Sequence, residues 1–205
     1  MKIINDIDQN SPEWKDIRRG KITGSKLKHI IVKRGTKKKL GFYELIADRL
    51  AVEEEREDPM ERGHRLEQDA VDAFSKHTGH VVDRIGFCVS EDNPNIAVSP
   101  DGMIKVGKKY KYGVEVKCLS AARHLQAYFE QEVPGEYEEQ YLQYFIVNPD
   151  QETLFFVFYD PRITAKPLHW IEIYRDDVED KIKEYKEYQV EVLKEVDELL
   201  EKLAF

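Results

Sequence analysis

Ser99-Pro100-Asp101-Gly102, then Met103 to Lys109, then Tyr110-Lys111-Tyr112-Gly113-Val114-Glu115-Val116-Lys117, is the stretch on which the reading of this chain turns. The valines of Tyr112 to Lys117 favour a strand, and side chains alternate across a strand, so Glu115 and Lys117 share one face with Val114 and Val116 on the other. Asp101 sits at a Pro-Asp-Gly corner. A short strand, Met103 to Val106, runs through Gly107-Lys108-Lys109 into the Glu-x-Lys strand, and a hairpin folded there brings Asp101 beside Glu115. Two carboxylates and a backbone carbonyl make a partial oxygen shell for a hard cation, open to a phosphate. A lysine one strand pitch away can orient the attacking water or neutralise developing charge. The pattern therefore predicts metal-assisted phosphodiester cleavage, although Glu-Val-Lys alone is a common string on exposed strands.

A third carboxylate comes from the helix expected over Pro59 to about His77, with Asp58 as cap, Pro59 in the first turn and Gly79 at the exit. Leu66, Ala70, Ala73, Phe74 and His77 mark its buried stripe. Glu67 lies at the edge of that stripe, four residues from both Gly63 and Val71. On the residues alone, a solvated helix glutamate is the simpler explanation.

Composition bounds the remainder. The 205 residues are 41% hydrophobic and 35% charged, enough for one domain with a sizeable core. We read residues 1–205 as a single domain, with a basic helical region over about 11–40 and a long helix over about 176–204. No apolar run reaches membrane-spanning length, and MKIINDIDQN lacks the pattern of a signal peptide, so a cytoplasmic location is expected. Cys88 and Cys118 form no Cys-x-x-Cys pair and the histidines show no zinc spacing, so both cysteines read as small core residues.

The net charge of −8 is strongly segregated. Between Trp14 and Leu40 there are eleven Lys or Arg against one acid, Asp16, giving +10 locally and −18 elsewhere. A basic face on an acidic body favours phosphate contact on one side. Ser11 caps and Pro12 begins a short helix that Gly20 ends, and Thr23-Gly24-Ser25 reads as the entry to the next. Backbone amides and a hydroxyl there, beside Arg18, form a phosphate cradle. Lys37 to Lys39 read as a solvated loop.

Elsewhere, Gly41 to about Glu55 reads as a helix with Phe42, Leu45, Ile46 and Leu50 inward and Glu53 to Glu57 as its charged exit. Val81 to Ser90 and Asn95 to Ser99 are strand-like. Ser120 to Gln131 and Pro134 to about Val147 read as helices, and Thr153 to Tyr159 and Leu168 to Tyr174 as strands. Asp176 is expected to cap the last helix. Its stripe of Ile182, Tyr185, Leu193, Val196, Leu200 and Leu203 either covers the sheet, the favoured reading, or joins a neighbouring subunit. The whole is an α+β pattern, a central mixed sheet flanked by helices.

Six motifs in order then carry a resemblance over nearly the whole chain. They are Trp14-x-x-x-Arg18-Arg19-Gly20-x-Ile22-Thr23-Gly24-Ser25, Arg62-Gly63-x-x-x-Glu67, Ser99-Pro100-Asp101-Gly102, Glu115-Val116-Lys117-Cys118, Gln140, and Tyr159-Asp160-Pro161-Arg162. The chain resembles the lambda-exonuclease type of viral recombinase nuclease, the YqaJ-like branch of the PD-(D/E)XK superfamily with its restriction-endonuclease-like fold. That resemblance implies a magnesium-dependent enzyme, with two ions and manganese as a substitute, encoded by a phage or prophage. It would digest linear duplex DNA from 5′-phosphorylated ends to mononucleotides and leave 3′ single strands for recombination. By the same resemblance Asp101, Glu115 and the Val116 carbonyl bind metal, Lys117 positions the water, Glu67 supports the second metal or its waters, and Gln140 lies near the lysine. Arg18 and Ser25 would grip the terminal phosphate and Arg123 would contact DNA. Homotrimers and a single-strand annealing partner are implied likewise. Leu119-Ser120 stands where a proline is often found, and the lysine-rich loop leaves Arg34 and Lys37 to Lys39 unassigned. Two other readings are a structure-specific or restriction-type endonuclease, which would not need the Arg18 to Ser25 pocket, and a non-enzymatic DNA-end-binding accessory.

Overall fold

The computed structural model describes residues 11–19, 21, 37–50 and 58–203. Among the described residues three helices come first: α1 (Pro12–Arg18), α2 (Leu40–Arg49) and α3 (Pro59–Thr78). A small antiparallel pair follows, β1 (Cys88–Val89) with β2 (Ala97–Val98), and then the hairpin of β3 (Gly102–Val106) and β4 (Lys109–Lys117). Next come α4 (Ala121–Glu130), a 3-10 turn (Gly135–Tyr137) and α5 (Glu138–Val147). Strands β5 (Thr153–Tyr159) and β6 (Leu168–Tyr174) lead into the long α6 (Arg175–Leu203).

The main sheet has the order β3-β4-β5-β6 and is mixed, with only the β4–β5 pair parallel. A parallel pair needs a crossover, and α4 and α5 supply it. Gly107, at φ +65°, makes the tight β3–β4 turn. In the parallel register Glu115 lies opposite Phe156 and Lys117 opposite Phe158.

Alternation assigns the two faces. Val114, Val116, Phe155 and Val157 pack with Ala70, Val71 and Phe74 of α3. Leu154, Phe156 and Phe158 pack on the opposite face with Ala127 of α4, Leu142, Tyr144 and Phe145 of α5, and Ile182 of α6. The expected separation of valines from Glu115 and Lys117 is therefore observed, and the carboxylate face is the one that α4 and α5 cover.

Several expectations change. The strand expected over Val81 to Ser90 shrinks to Cys88–Val89 plus one bridge between Asp83 and Met103, and Val81 is exposed; among the described residues the rest of the segment has no strand partner. Pro134 opens a 3-10 turn, and the α-helix starts only at Glu138. In α2 Leu45 is buried and Phe42 and Ile46 are partly buried, as expected, but Tyr43 and Ala47 join the inward face, packed on α4, and Leu50 is exposed at the C-cap; Glu53 to Glu57 lie outside the described residues. His77 of α3 is exposed, and Val71 takes its place in the buried stripe.

Asp176 is not a cap, because α6 begins at Arg175, whose guanidinium is tied to the carbonyls of Phe145, Asn148 and Gln151. The first half of α6 covers the sheet through Ile182 and Tyr185, whereas Val196, Leu200 and Leu203 are exposed. No described helix is long and apolar enough to cross a membrane. Cys88 and Cys118 are partly buried free thiols packed against the two faces, and burial pushes the Cys118 thiol up to about 12.

Candidate active site

At the carboxyl ends of β4 and β5 an open cleft of about 940 Å³ is lined by Glu67, Asp101, Glu115, Lys117, Arg123 and Gln140, among others. Its floor follows from strand geometry. β3 starts at Gly102 opposite Val114, so Asp101 lies just beyond the paired region, and its Oδ2 accepts a hydrogen bond from the Val116 N–H at 2.7 Å. Because N–H and C=O of one strand residue point to the same edge, the Val116 carbonyl faces the Asp101 side as well. A side chain at Gly102 would meet Val82 Cγ1 at 2.3 Å, which explains a glycine beside Asp101.

Glu115 is 2% exposed and fully engaged. Its Oε1 accepts from Lys117 Nζ and from Gln140 Nε2, each at 2.5 Å, and its Oε2 accepts from the Tyr144 hydroxyl at 2.5 Å. Tyr144 also accepts the Asp101 N–H at 3.4 Å, so one buried hydroxyl joins both carboxylate positions. Burial and the charge of Glu115 push Tyr144 well above the usual phenol range, keeping it a donor. Lys117 Nζ lies 5.0 Å from the centre of the Tyr137 ring, a cation–π seat on its other side.

At Asp101 the neighbouring carboxylates outweigh the Lys117 charge and create an electrostatic conflict. Burial, then Glu115, then Glu67 push Asp101 up to about 7, against the lowering effect of the Val116 N–H. Glu67 projects into the same cleft from α3 and is partly exposed, with His64 Nδ1 at 4.0 Å. Among the described residues no three His, Cys, Asp or Glu side chains lie at ready-made ligand spacing, and the Glu115 oxygens are engaged by Lys117, Gln140 and Tyr144. The donors are nevertheless all hard oxygens, and the conflict on Asp101 is one that a divalent cation relieves, so the residues fit such an ion.

Arg123 lines the cleft from α4 and pairs with Glu136 of the 3-10 turn; both are exposed at the rim. Arg18 ends α1, partly buried, and is not among the residues that line the cleft. Ser25 lies outside the described residues. The structure thus brings together Glu67, Asp101, Glu115, Lys117, Gln140 and Arg123, while of the two residues expected to grip the phosphate Arg18 alone is among the described residues.

The model of the YqaJ-like viral recombinase domain matches residues 13–150, about two thirds of the chain. The chain belongs to that family. The fold agrees. Two crystal structures of LHK-Exo, an alkaline exonuclease from Laribacter hongkongensis, one of them in complex with dAMP, superpose with a TM-score of 0.61 at 25% identity, covering 95% of this chain and 98% of that one. No curated protein sequence matches significantly. Family and fold together support a nuclease role in recombination.

Four residues to which the sequence reading gave no role also belong to the site. Tyr144 stands four residues after Gln140, the spacing that puts both on one face of α5, and that Gln-x-x-x-Tyr spacing was the available signal. Tyr137, one turn before Gln140, carried no signal beyond being aromatic. Arg62 and Arg162 also line the cleft, joined through buried Asp160.

Proposed function

We propose that this protein is a metal-dependent 5′-to-3′ exonuclease that digests linear duplex DNA from 5′-phosphorylated ends, releases mononucleotides and leaves 3′ single strands for recombination by strand annealing. The observation that carries the reading is the convergence of Asp101, Glu115 and Lys117 on the floor of a cleft with Arg123 at its mouth. Asp101, Glu115, the Val116 carbonyl and Glu67 would hold one or two magnesium ions, with manganese as a substitute; the bound metal supplies Lewis-acid stabilisation of charge on the phosphate.

Around that centre the chain's own groups divide the work. Lys117, held between Glu115 and the Tyr137 ring, is the group placed to orient the attacking water and offset phosphorane charge. Gln140 and Tyr144 fix the Glu115 carboxylate from the helix side. Arg123 exchanges Glu136 for a DNA phosphate, a replacement made easy because an exposed ion pair stabilises by less than about 1 kcal/mol. Arg18, with Ser25, would grip the terminal 5′ phosphate. A dAMP complex of the related LHK-Exo is consistent with a mononucleotide product. A ring-shaped homotrimer and a single-strand annealing partner rest on membership of the family.

The test is a linear duplex labelled at one 5′ or one 3′ terminus, with 5′-phosphate and 5′-hydroxyl versions. Early release of the 5′ label as mononucleotide, faster from the phosphate, is expected. Early release of the 3′ label, or internal fragments, would overturn the polarity. Arg18→Ala should remove the preference for phosphate over hydroxyl; equal slowing of both ends would dismiss the end pocket.

A further inference from the structure

Asp160 is 0% exposed, directly follows β5 and is not one of the cleft carboxylates. Its Oδ1 and Oδ2 take the Arg162 Nε and Nη2 at 2.8 and 2.7 Å, and Oδ1 lies 3.1 Å from Arg62 Nη2. Arg62 Nη1 in turn donates to the carbonyls of Cys118 and Leu119, at 2.8 and 2.9 Å, the two residues that follow Lys117. Arg62 occupies the first turns of α3, and Glu67 is five residues further along the same helix.

We propose that the Arg62–Asp160 pair is a positioning device that sets Glu67 and the exit of β4 in register with Asp101 and Glu115. It deepens the proposed function and rests on it. The apolar contacts of Ala70, Val71 and Phe74 press α3 onto the sheet, but apolar packing is non-directional and fixes sliding and rotation poorly. The two hydrogen bonds from Arg62 Nη1 to the Cys118 and Leu119 carbonyls are directional, and the ion pair with Asp160 anchors the other side of the guanidinium. Burying these charges costs desolvation that well-packed apolar side chains would avoid, so stability alone is a weak reason for them. Placement of a carboxylate at the edge of a metal site is a stronger one, because ligand donors must be held to a fraction of an ångström.

Asp160→Asn and Arg62→Lys test this on the full chain, each checked for folding by circular dichroism. Lysine keeps the charge but cannot span the three oxygens. Both variants should lower kcat on linear duplex at least tenfold with KM for DNA within threefold. Both should also weaken Mn2+ binding to the DNA-free protein at least fivefold by calorimetry. In a Glu67→Gln background Asp160→Asn should cost clearly less further kcat than in the wild type, since part of its effect passes through Glu67. A variant that melts earlier but keeps wild-type kcat and Mn2+ affinity, or losses that multiply fully with Glu67→Gln, would overturn the proposal. If Asp160→Asn does not fold, Arg62→Lys alone decides by the same readouts. Cleavage by the wild type with unchanged variants refutes only the positioning role, whereas a wild type inactive on every duplex refutes the function beneath it.

Discussion

Asp101→Asn should stabilise the metal-free protein above neutral pH while abolishing cleavage. In the folded chain burial and the charges of Glu115 and Glu67 raise Asp101 from 3.8 to about 7. At about 1.4 kcal/mol per pH unit, that displacement corresponds to about 4 kcal/mol of destabilisation at pH 8. The sign follows from proton binding. With the folded pKa raised, stability is fully present below about pH 4 and is lost as pH rises through about 7. Asparagine removes the charge, still accepts the Val116 N–H, and offers its amide to neighbouring carboxylates. Allowing for imperfect geometry, a gain of about 2–3 kcal/mol, or about 5–10 °C in melting temperature for a chain of this size, is expected. Thermal melts in EDTA from pH 5 to 8.5 measure it; the gain should shrink toward pH 5, and magnesium should stabilise the wild type but not the variant. An asparagine variant no more stable than wild type at pH 8 would refute the idea that these carboxylates repel one another for want of a cation.

Three further outcomes follow from the same geometry. Lys117→Ala should lower cleavage by at least a thousandfold and leave duplex binding within threefold by fluorescence anisotropy; loss of both would remove Lys117 from the chemistry. Tyr144→Phe deletes a donor at 2.5 Å from a buried carboxylate, so a loss of about 1.5–3 kcal/mol in chemical denaturation is expected, together with slower cleavage. Burial, then His124, hold His169 down at about 3, so below the ordinary histidine value it should cost stability as pH falls. His124, also held down by burial, adds to the same slope, so in the Asp101→Asn background stability should fall by at least about 1.4 kcal/mol per unit from pH 6.5 to 4, and a flat profile would contradict it.

The elements legible in the sequence are those whose signal is local. Period two in Val114 to Lys117 fixed which side chains share a face, and the spacing of Leu66, Ala70 and Phe74 put α3 on the opposite face with Glu67 at its edge. The mixed sheet and its flanking helices followed from the same patterns. What escaped depended on distant partners. Val81 to Ser90 has strand composition but no neighbour to pair with beyond Ala97–Val98 and the bridge to Met103. Tyr144 reads as an ordinary core aromatic, and only the arrival of α5 over β4 gives its hydroxyl a carboxylate to hold. Arg62 and Asp160 are almost a hundred residues apart, and nothing local announces that they meet. The extent to which α6 leaves the body is likewise a property of where the sheet ends.

The central claim, end-dependent hydrolysis by the Asp101–Glu115–Lys117 site, is tested most directly by a magnesium time course on two substrates. One is a linear duplex with 5′ phosphates and the other a covalently closed circle, each read by release of acid-soluble nucleotide with Lys117→Ala as control. The account predicts loss of the linear duplex alone, abolished in the variant. Nicking or linearising of the circle, or equal activity in the Lys117→Ala protein, would contradict it.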